Sequence, residues 1–346
     1  MTEPMLTPRN ESGLLRSPTF DLALVGGSLA LALLAGLVVV GRPGLFAAVL
    51  LIDLWLLSYH HVIATFTRLA FDRSSFAEHR FLVVGVPLLV VAATVTAVEV
   101  LVLWVVPTVY FYWQWWHYTR QSYGISRIYQ LKGGQTGKDP LANAMLTLVA
   151  AAGILHRSAQ SWPRFLGFEL RLVAVPPIVA RLVAIAAAAA VLLWLAREAR
   201  RAAAGRAGGP ATLYLGSHIV VFSVAYLVID DIDAGWLVVN VWHNAQYLLL
   251  VWSYNANRFR TGISPSQRML SWMSQAHRWP AYVGVCLVVT TLVYGGLAVL
   301  TASYSTPAIP LLVIAYQVIN FHHYIADSRL WKVRRLPVRR TLGIPV

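Results

Sequence analysis

The sequence predicts an all-α, polytopic membrane protein: a single helical bundle with nine or ten transmembrane helices. Of its 346 residues, 58% are hydrophobic and 12% are charged, which is about half the charged share of a soluble domain. Apolar runs such as 22–40 and 177–195 extend for about 19 residues with one charge or none, enough to cross the hydrocarbon core of a bilayer. Their recurrence along the chain excludes a soluble enzyme, a disordered chain and a fibrous protein.

The individual helices are predicted from these runs in chain order. The spans are 21–41, 46–68, 81–105, 107–129, 141–156, 171–196, 212–229, 236–256, 280–302 and 307–329. Segment 141–156 is the shortest, so it is predicted either to cross the membrane or to re-enter from one side. Residues 1–20 then form a cytoplasmic N-terminal segment, 21–329 a single transmembrane domain, and 330–346 a basic cytoplasmic tail.

The charges in the loops predict the orientation. The chain carries 28 Lys and Arg against 14 Asp and Glu, a net charge of +14. The basic residues collect in alternate loops, as they do in cytoplasmic loops, and there they face anionic lipid rather than nucleic acid. Both termini are therefore predicted on the cytoplasmic side of a bacterial inner (plasma) membrane. Loop 157–171 is the exception, because it is predicted on the non-cytoplasmic side of the membrane and yet carries Arg157, Arg164 and Arg171.

The histidines are the main clue to function, since ten is a high count for so apolar a chain. Seven lie inside predicted spans, on five helices: His60, His61, His117, His218, His243, His322 and His323. Ionisable residues at membrane depth are costly and usually face the bundle interior, where they bind something. One such histidine is more often a satisfied packing residue. Seven of them, placed mostly in the cytoplasmic half of the bilayer, predict a metal site.

Polar residues accompany these histidines at helical spacing. Asn240, His243 and Asn244 share one helix face, and Asp327 follows His323 by four residues on another helix. Metal-bound histidines need neighbours that select the tautomer of each ring. The predicted neighbours are Asn240, Asn244, Gln121, Tyr324, Asp53 and His79. Asp327 is predicted as a ligand or as a further neighbour.

This donor set predicts a metal-dependent enzyme. Neutral imidazole suits iron, zinc, copper and nickel, and seven histidines with Asp327 are enough for two metal ions, with iron preferred. With its adjacent pairs His60-His61 and His322-His323, the cluster resembles the histidine-rich integral membrane dimetal enzymes: fatty-acid desaturases, sterol and carotenoid hydroxylases, and alkane monooxygenases. The HxxxH and HxxHH boxes of those enzymes are absent, so the resemblance is one of site chemistry. It implies an oxidoreductase with two irons, dioxygen, an electron-donor protein and a lipid-like or apolar substrate.

Three other functions remain open at this point. A membrane zinc hydrolase, like the ceramidase-type proteins, needs three histidines, one aspartate and a water. A haem protein would use histidines on facing helices as axial ligands. A transporter would use the buried His and Asp side chains as an ion or proton path.

Overall fold

The computed structural model describes residues 13–71, 73–206, 208–305 and 310–345. It confirms the all-α fold, and its ten long helices coincide with the ten predicted spans. They are α1 Pro18–Gly41, α2 Pro43–Leu69, α3 Phe81–Leu101, α4 Val105–Lys132, α5 Pro140–Ser158, α6 Pro177–Ala203, α7 Pro210–Val228, α8 Ile232–Arg258, α9 Trp279–Ala302 and α10 Leu311–Leu330. Short helices cover Arg73–Glu78, Arg268–Met273 and Leu336–Leu342. Strands Arg164–Phe165 and Phe168–Glu169 form a small antiparallel hairpin.

Seven of these helices, α1, α2, α3, α5, α6, α7 and α9, are long and apolar enough to cross a membrane. In the most apolar stretches of α1, α2, α3, α6 and α9, only 17–28% of the residues are buried. These helices therefore present most of their apolar side chains to the outside of the bundle, where lipid is the matching solvent. The other three long helices, α4, α8 and α10, carry more polar residues, and their polar side chains lie largely inside.

Helix α8 forms the centre of the bundle. Asp231 caps its start by accepting a hydrogen bond from the amide of Ala234 at 2.7 Å. From Ala234 to Asn244 every residue is buried, so the helix is enclosed on all sides by its neighbours. It packs against α1, α2 and α7. The polar residues Asn240, His243 and Asn244 are consequently shielded from lipid.

Helix α2 contains one wide, π-helical turn at Leu54–Ser58. Such turns insert an extra residue into the helical repeat and occur often at functional sites. Beyond the turn the helix continues as Tyr59–Leu69, and nearly all of that stretch is buried, including His60 and His61. The wide turn thus separates a lipid-facing first half of α2 from an interior second half.

Two of the three arginines of loop 157–171, Arg157 and Arg171, have structural partners, whereas Arg164 is exposed. The Arg157 side chain is 1% exposed. Its guanidinium donates to the carbonyls of Ala225 (3.1 Å), Ile229 and Asp230 (2.6 Å), at the end of α7. Arg171 pairs with Glu169 at 2.7 Å. Helix α5 is continuous over Pro140–Ser158, long and apolar enough for a full crossing.

Both ends of the described chain lie on the same side of the bundle. Lys132, at the end of α4, donates from Nζ to the carbonyl of Leu15 at 2.8 Å. Gly343, after the last short helix, lies beside the same Nζ. An even number of long helices between the two described ends gives this arrangement.

The close approach of α8 to α7 provides a test of this packing. A Cβ added at Gly235 would lie 2.1 Å from the carbonyl oxygen of Ala225 and 3.0 Å from Nη2 of Arg157. We expect Gly235→Ala to destabilise the protein by ~1–3 kcal/mol, because overpacking forces backbone shifts. The thermal unfolding midpoint in detergent should fall by several degrees.

Gly284→Ala is the matched control, since Gly284 also lies within a long helix but a Cβ there meets nothing within 4 Å. This variant should unfold at or above the wild-type midpoint, because alanine favours helix by up to ~1 kcal/mol over glycine. Equal midpoints for the two variants would contradict the close contact at Gly235.

Candidate metal centre

Four imidazoles and one carboxylate meet inside the bundle. They are His61 from α2, His117 from α4, His243 from α8, and His323 and Asp327 from α10, and each is at most 8% exposed. The ring centroids of neighbouring histidines are 4.6–5.4 Å apart. We call these five residues the histidine cluster. It draws one or two residues from each of four helices that are distant in the sequence.

The spacing of the donor atoms suits a single metal ion. Nε2 of His61 lies 3.0 Å from Nε2 of His323. Two nitrogens that each lie ~2.0–2.1 Å from one ion are roughly 2.9–3.4 Å apart in octahedral or tetrahedral geometry. Oδ2 of Asp327 is 3.6 Å from Nε2 of His323 and 3.8 Å from Nε2 of His117. Ligand atoms of His117, His323 and Asp327 all lie within 4.8 Å of one another.

Several of these nitrogens lack a hydrogen bond. In the part of the chain that the structure describes, Nε2 of His117 and both ring nitrogens of His243 are buried and have no partner. An unpaired polar atom in an apolar interior costs ~1–3 kcal/mol. A bound cation would remove this cost for one nitrogen of each ring, because it accepts the lone pair and leaves the protonated nitrogen unchanged. The unpaired nitrogens are therefore the strongest sign that the cluster binds a metal.

A chain of hydrogen bonds orients His323. Its Nδ1 is 3.0 Å from Oγ1 of Thr65, which is 2.7 Å from the hydroxyl of Tyr247. Tyr247 donates to Oδ1 of Asp327 at 2.6 Å and accepts from Nε1 of Trp331 at 3.1 Å. With the proton of His323 on Nδ1 and donated to Thr65, Nε2 carries the lone pair that faces His61. The same series of hydrogen bonds ends on Oδ1 of Asp327, so Oδ2 is left to face a bound metal ion.

Thr65 and Trp331 are contributors that the sequence analysis missed. Thr65 follows His61 by four residues, so the helical spacing that groups Asn240 with His243 and Asn244 also places it on the face of His61. Trp331 immediately follows α10 and comes four residues after Asp327, so the same spacing places it near that acid. Only the packing of α10 against α8 brings its indole to Tyr247.

A second polar network adjoins the cluster. Oδ2 of Asp53 accepts hydrogen bonds from Oγ of Ser58 (2.8 Å) and Nδ2 of Asn240 (2.6 Å). Nδ2 of Asn244 donates to the same Ser58 hydroxyl at 2.7 Å. A cavity of about 30 Å³ lies between this network and the cluster. Its lining includes Ser58, Asn240, His61 and His243, and its volume is enough for one water molecule.

Two other predicted neighbours contact the cluster. The ring of Tyr324 stacks on His117 with centroids 4.4 Å apart. Nε2 of Gln121 donates to the carbonyl of His243 at 3.0 Å. Asn244, Asn240 and Asp53 belong to the adjoining network.

The remaining predicted histidines lie outside the cluster and bond elsewhere. His218 uses both nitrogens, with Oγ of Ser122 and the carbonyl of Leu146 each at 3.1 Å. Nε2 of His322 bonds to the carbonyl of Leu82 at 2.7 Å. Nδ1 of His60 and of His79 each bond at 3.0 Å to the carbonyl four residues earlier on their own helix. These contacts are typical of structural histidines, although Nε2 of His60 is also buried without a partner among the described residues.

No known family model, curated protein or solved structure matches this chain.

The hydrogen bond between Thr65 and His323 can be tested by an isosteric change. Thr65→Val removes the hydroxyl that holds Nδ1 of His323 and keeps the volume. We expect metal affinity to fall by about 10–100-fold, the usual effect of losing a group that orients a ligand. The measurement is a competition titration of purified protein with a metal-binding indicator.

Thr67→Val makes the same chemical change two residues away, where the hydroxyl bonds to Ala64 and Tyr282 rather than to a clustered histidine. Its metal affinity should equal that of the wild type. Wild-type affinity in Thr65→Val would contradict the role assigned to Thr65.

Proposed function

We propose that the protein is an integral membrane oxidoreductase that depends on a metal ion held by the histidine cluster. The observation that carries the proposal is the group of His117, His323 and Asp327, with His61 and His243 packed against it, and with buried nitrogens on His117 and His243 that have no partner among the described residues. A structural role leaves those nitrogens at an energetic cost. A metal ion would satisfy the lone-pair nitrogen of each ring.

The donor set favours iron among the metals that imidazole binds. His117, His323 and Asp327 have the composition of the two-histidine, one-carboxylate triad that holds Fe(II) in non-haem oxygenases. His61 and His243 lie next to this triad, with ring centroids 4.6 Å from His323 and 4.9 Å from His117, respectively. Because His60, His218 and His322 bond elsewhere, we propose one ion per chain at this cluster rather than the two that the sequence analysis prefers.

The surroundings suit oxidation of an apolar substrate. The small cavity beside His61 and His243 has room for a molecule the size of water or dioxygen. The aromatic rings of Tyr59, Tyr110 and Tyr324 form another part of its lining. Oxidation by an iron site of this kind consumes dioxygen together with electrons and protons from an external donor, and releases water with the oxidised product. An electron-donor protein and a lipid-like substrate are therefore part of the proposal.

Each residue of the cluster has a distinct task in this proposal. The four imidazoles bind the ion as neutral donors, and Asp327 supplies the negative charge that offsets the charge of the cation. The hydrogen bonds through Thr65 and Tyr247 fix the positions of His323 and Asp327 relative to each other. The buried setting excludes bulk water.

We also propose that the side carrying both chain ends is cytoplasmic, because the basic loops collect there.

Metal analysis of the purified protein tests the proposal. After expression in metal-replete medium, plasma mass spectrometry should find about one iron per chain, and the absorption spectrum should show no Soret band. His323→Ala and His117→Ala should fall to background, since each removes a ligand nitrogen. His218→Gln and His277→Ala are matched controls, one buried outside the cluster and one exposed, and both should keep the wild-type metal content.

Three results would contradict parts of this proposal. A metal content at background level in the wild-type protein would contradict the whole proposal. It would favour a transporter that uses the buried His and Asp side chains. Wild-type metal content in His323→Ala would remove that residue from the ligand set. A Soret band would indicate haem.

A zinc hydrolase is the second candidate. The tight group of His117, His323 and Asp327 also matches a catalytic zinc site with three protein ligands and one water, and the neighbouring His61 and His243 line a water-sized cavity. One zinc per chain in the same analysis, with iron at background, would support it.

A further inference from the structure

A larger cavity lies at the end of the bundle where α2, α8 and α10 terminate. Its volume is about 250 Å³. The short helices Arg73–Glu78 and Leu336–Leu342 contribute part of its wall. The cavity is distinct from the one beside His61 and is not lined by any member of the histidine cluster.

The lining of this cavity is basic. Arg68, Arg258 and Arg335 all line it, and so does His79. Glu78 is the one carboxylate among the described lining residues, and it is largely exposed to solvent. The hydroxyls of Ser74, Ser75 and Thr341 add neutral hydrogen-bonding groups. This combination of guanidinium and hydroxyl groups is what oxyanions bind.

Arg68 is the least exposed of these arginines. Only 7% of its surface is exposed. Its guanidinium is sandwiched between the rings of Tyr254 and Trp331, with its central carbon 3.9 Å from each centroid. Stacking on both faces leaves only the edge of the group for hydrogen bonds.

That edge is poorly satisfied within the protein. Nη2 lies 3.5 Å from the carbonyl oxygen of Leu330, at the limit for a hydrogen bond. Nη1 is buried and has no partner in the described part of the chain. The aromatic faces and the charge of Asp327 interact with this guanidinium, but a buried N–H group without a hydrogen bond is still unfavourable. The aromatic stack therefore holds a guanidinium in place for a partner that is not part of this chain.

We propose that this cavity binds a phosphate group. Arginine pairs with phosphate through two parallel hydrogen bonds, and basic pockets at the ends of membrane helices bind lipid phosphates in this way. The volume admits a phosphate with part of the molecule that carries it. Two sources share this chemistry: a free phosphate compound from the aqueous side, and the headgroup of an anionic phospholipid.

The phosphate site is independent of the proposed metal but lies close to it. Trp331, which stacks on Arg68, also donates to Tyr247, and Tyr247 donates to Asp327. A phosphate on Arg68 would thus be connected to the histidine cluster through two side chains. Binding of phosphate can nevertheless be measured on protein without metal, so failure of either proposal leaves the other standing.

The experiment measures phosphate binding from both sources. Detergent-purified protein is dialysed to equilibrium against radiolabelled inorganic phosphate. In parallel, native mass spectrometry compares the retention of phosphatidic acid with that of phosphatidylcholine. The variants are Arg335→Gln, which changes an exposed residue of the lining, and Arg68→Lys, which keeps the charge but loses the planar fork. Arg200→Gln, on the exposed face of α6, is the control for loss of one positive charge.

We expect saturable binding that falls by about tenfold or more in Arg335→Gln and Arg68→Lys, since each loses a charge-assisted pair, and that is unchanged in Arg200→Gln. Loss of inorganic phosphate binding in these variants identifies a free phosphate compound. Retention of phosphatidic acid alone, lost in the same variants, identifies a lipid headgroup. Absence of both, or binding that Arg335→Gln leaves at the wild-type level, overturns the proposal.

Discussion

The hydrogen bond from Tyr247 to Asp327 joins α8 to α10 at the point where the four imidazoles meet. A carboxylate at this depth has no water to solvate it, so its position requires donors from the protein. Tyr247 supplies one of them and also links Asp327 to Thr65 on α2. The relative placement of three helices therefore depends on satisfying a single buried acid. The geometry of the histidine cluster follows from that placement.

The long helices divide into two groups, those that face lipid and those that are enclosed by other helices. Helices such as α3, α6 and α9 present leucine and valine outward and suit a lipid environment. Helix α8 presents none of its central residues to the outside, so amides and imidazoles can occupy it as long as neighbouring helices provide partners. The protein can therefore place a polar site inside a membrane bundle without exposing it to lipid.

Two buried arginines, Arg157 and Arg68, have different roles in the structure. Arg157 has its guanidinium satisfied by the carbonyls at the end of α7, and its role is to hold that end against α8. Arg68 is held by two aromatic rings, and one of its terminal nitrogens has no partner among the described residues. The first arrangement is complete within the chain. For the second, we propose that an anion from outside the chain supplies the missing partner.

The amino-acid sequence by itself determined the all-α membrane fold and the position of every long helix, because apolar runs of sufficient length can satisfy their backbone in lipid only as helices. It also indicated that α2, α4, α8 and α10 bring histidines into the interior. It did not distinguish His61 from His60, or His323 from His322. Adjacent residues on a helix point about 100° apart, and only packing decides which of them faces the centre. In the tertiary structure, His61 and His323 face the centre. His218 bonds instead to Ser122 and Leu146, and Thr65 and Trp331 lie beside the cluster. Those contacts join residues far apart in the chain, which no local spacing can encode.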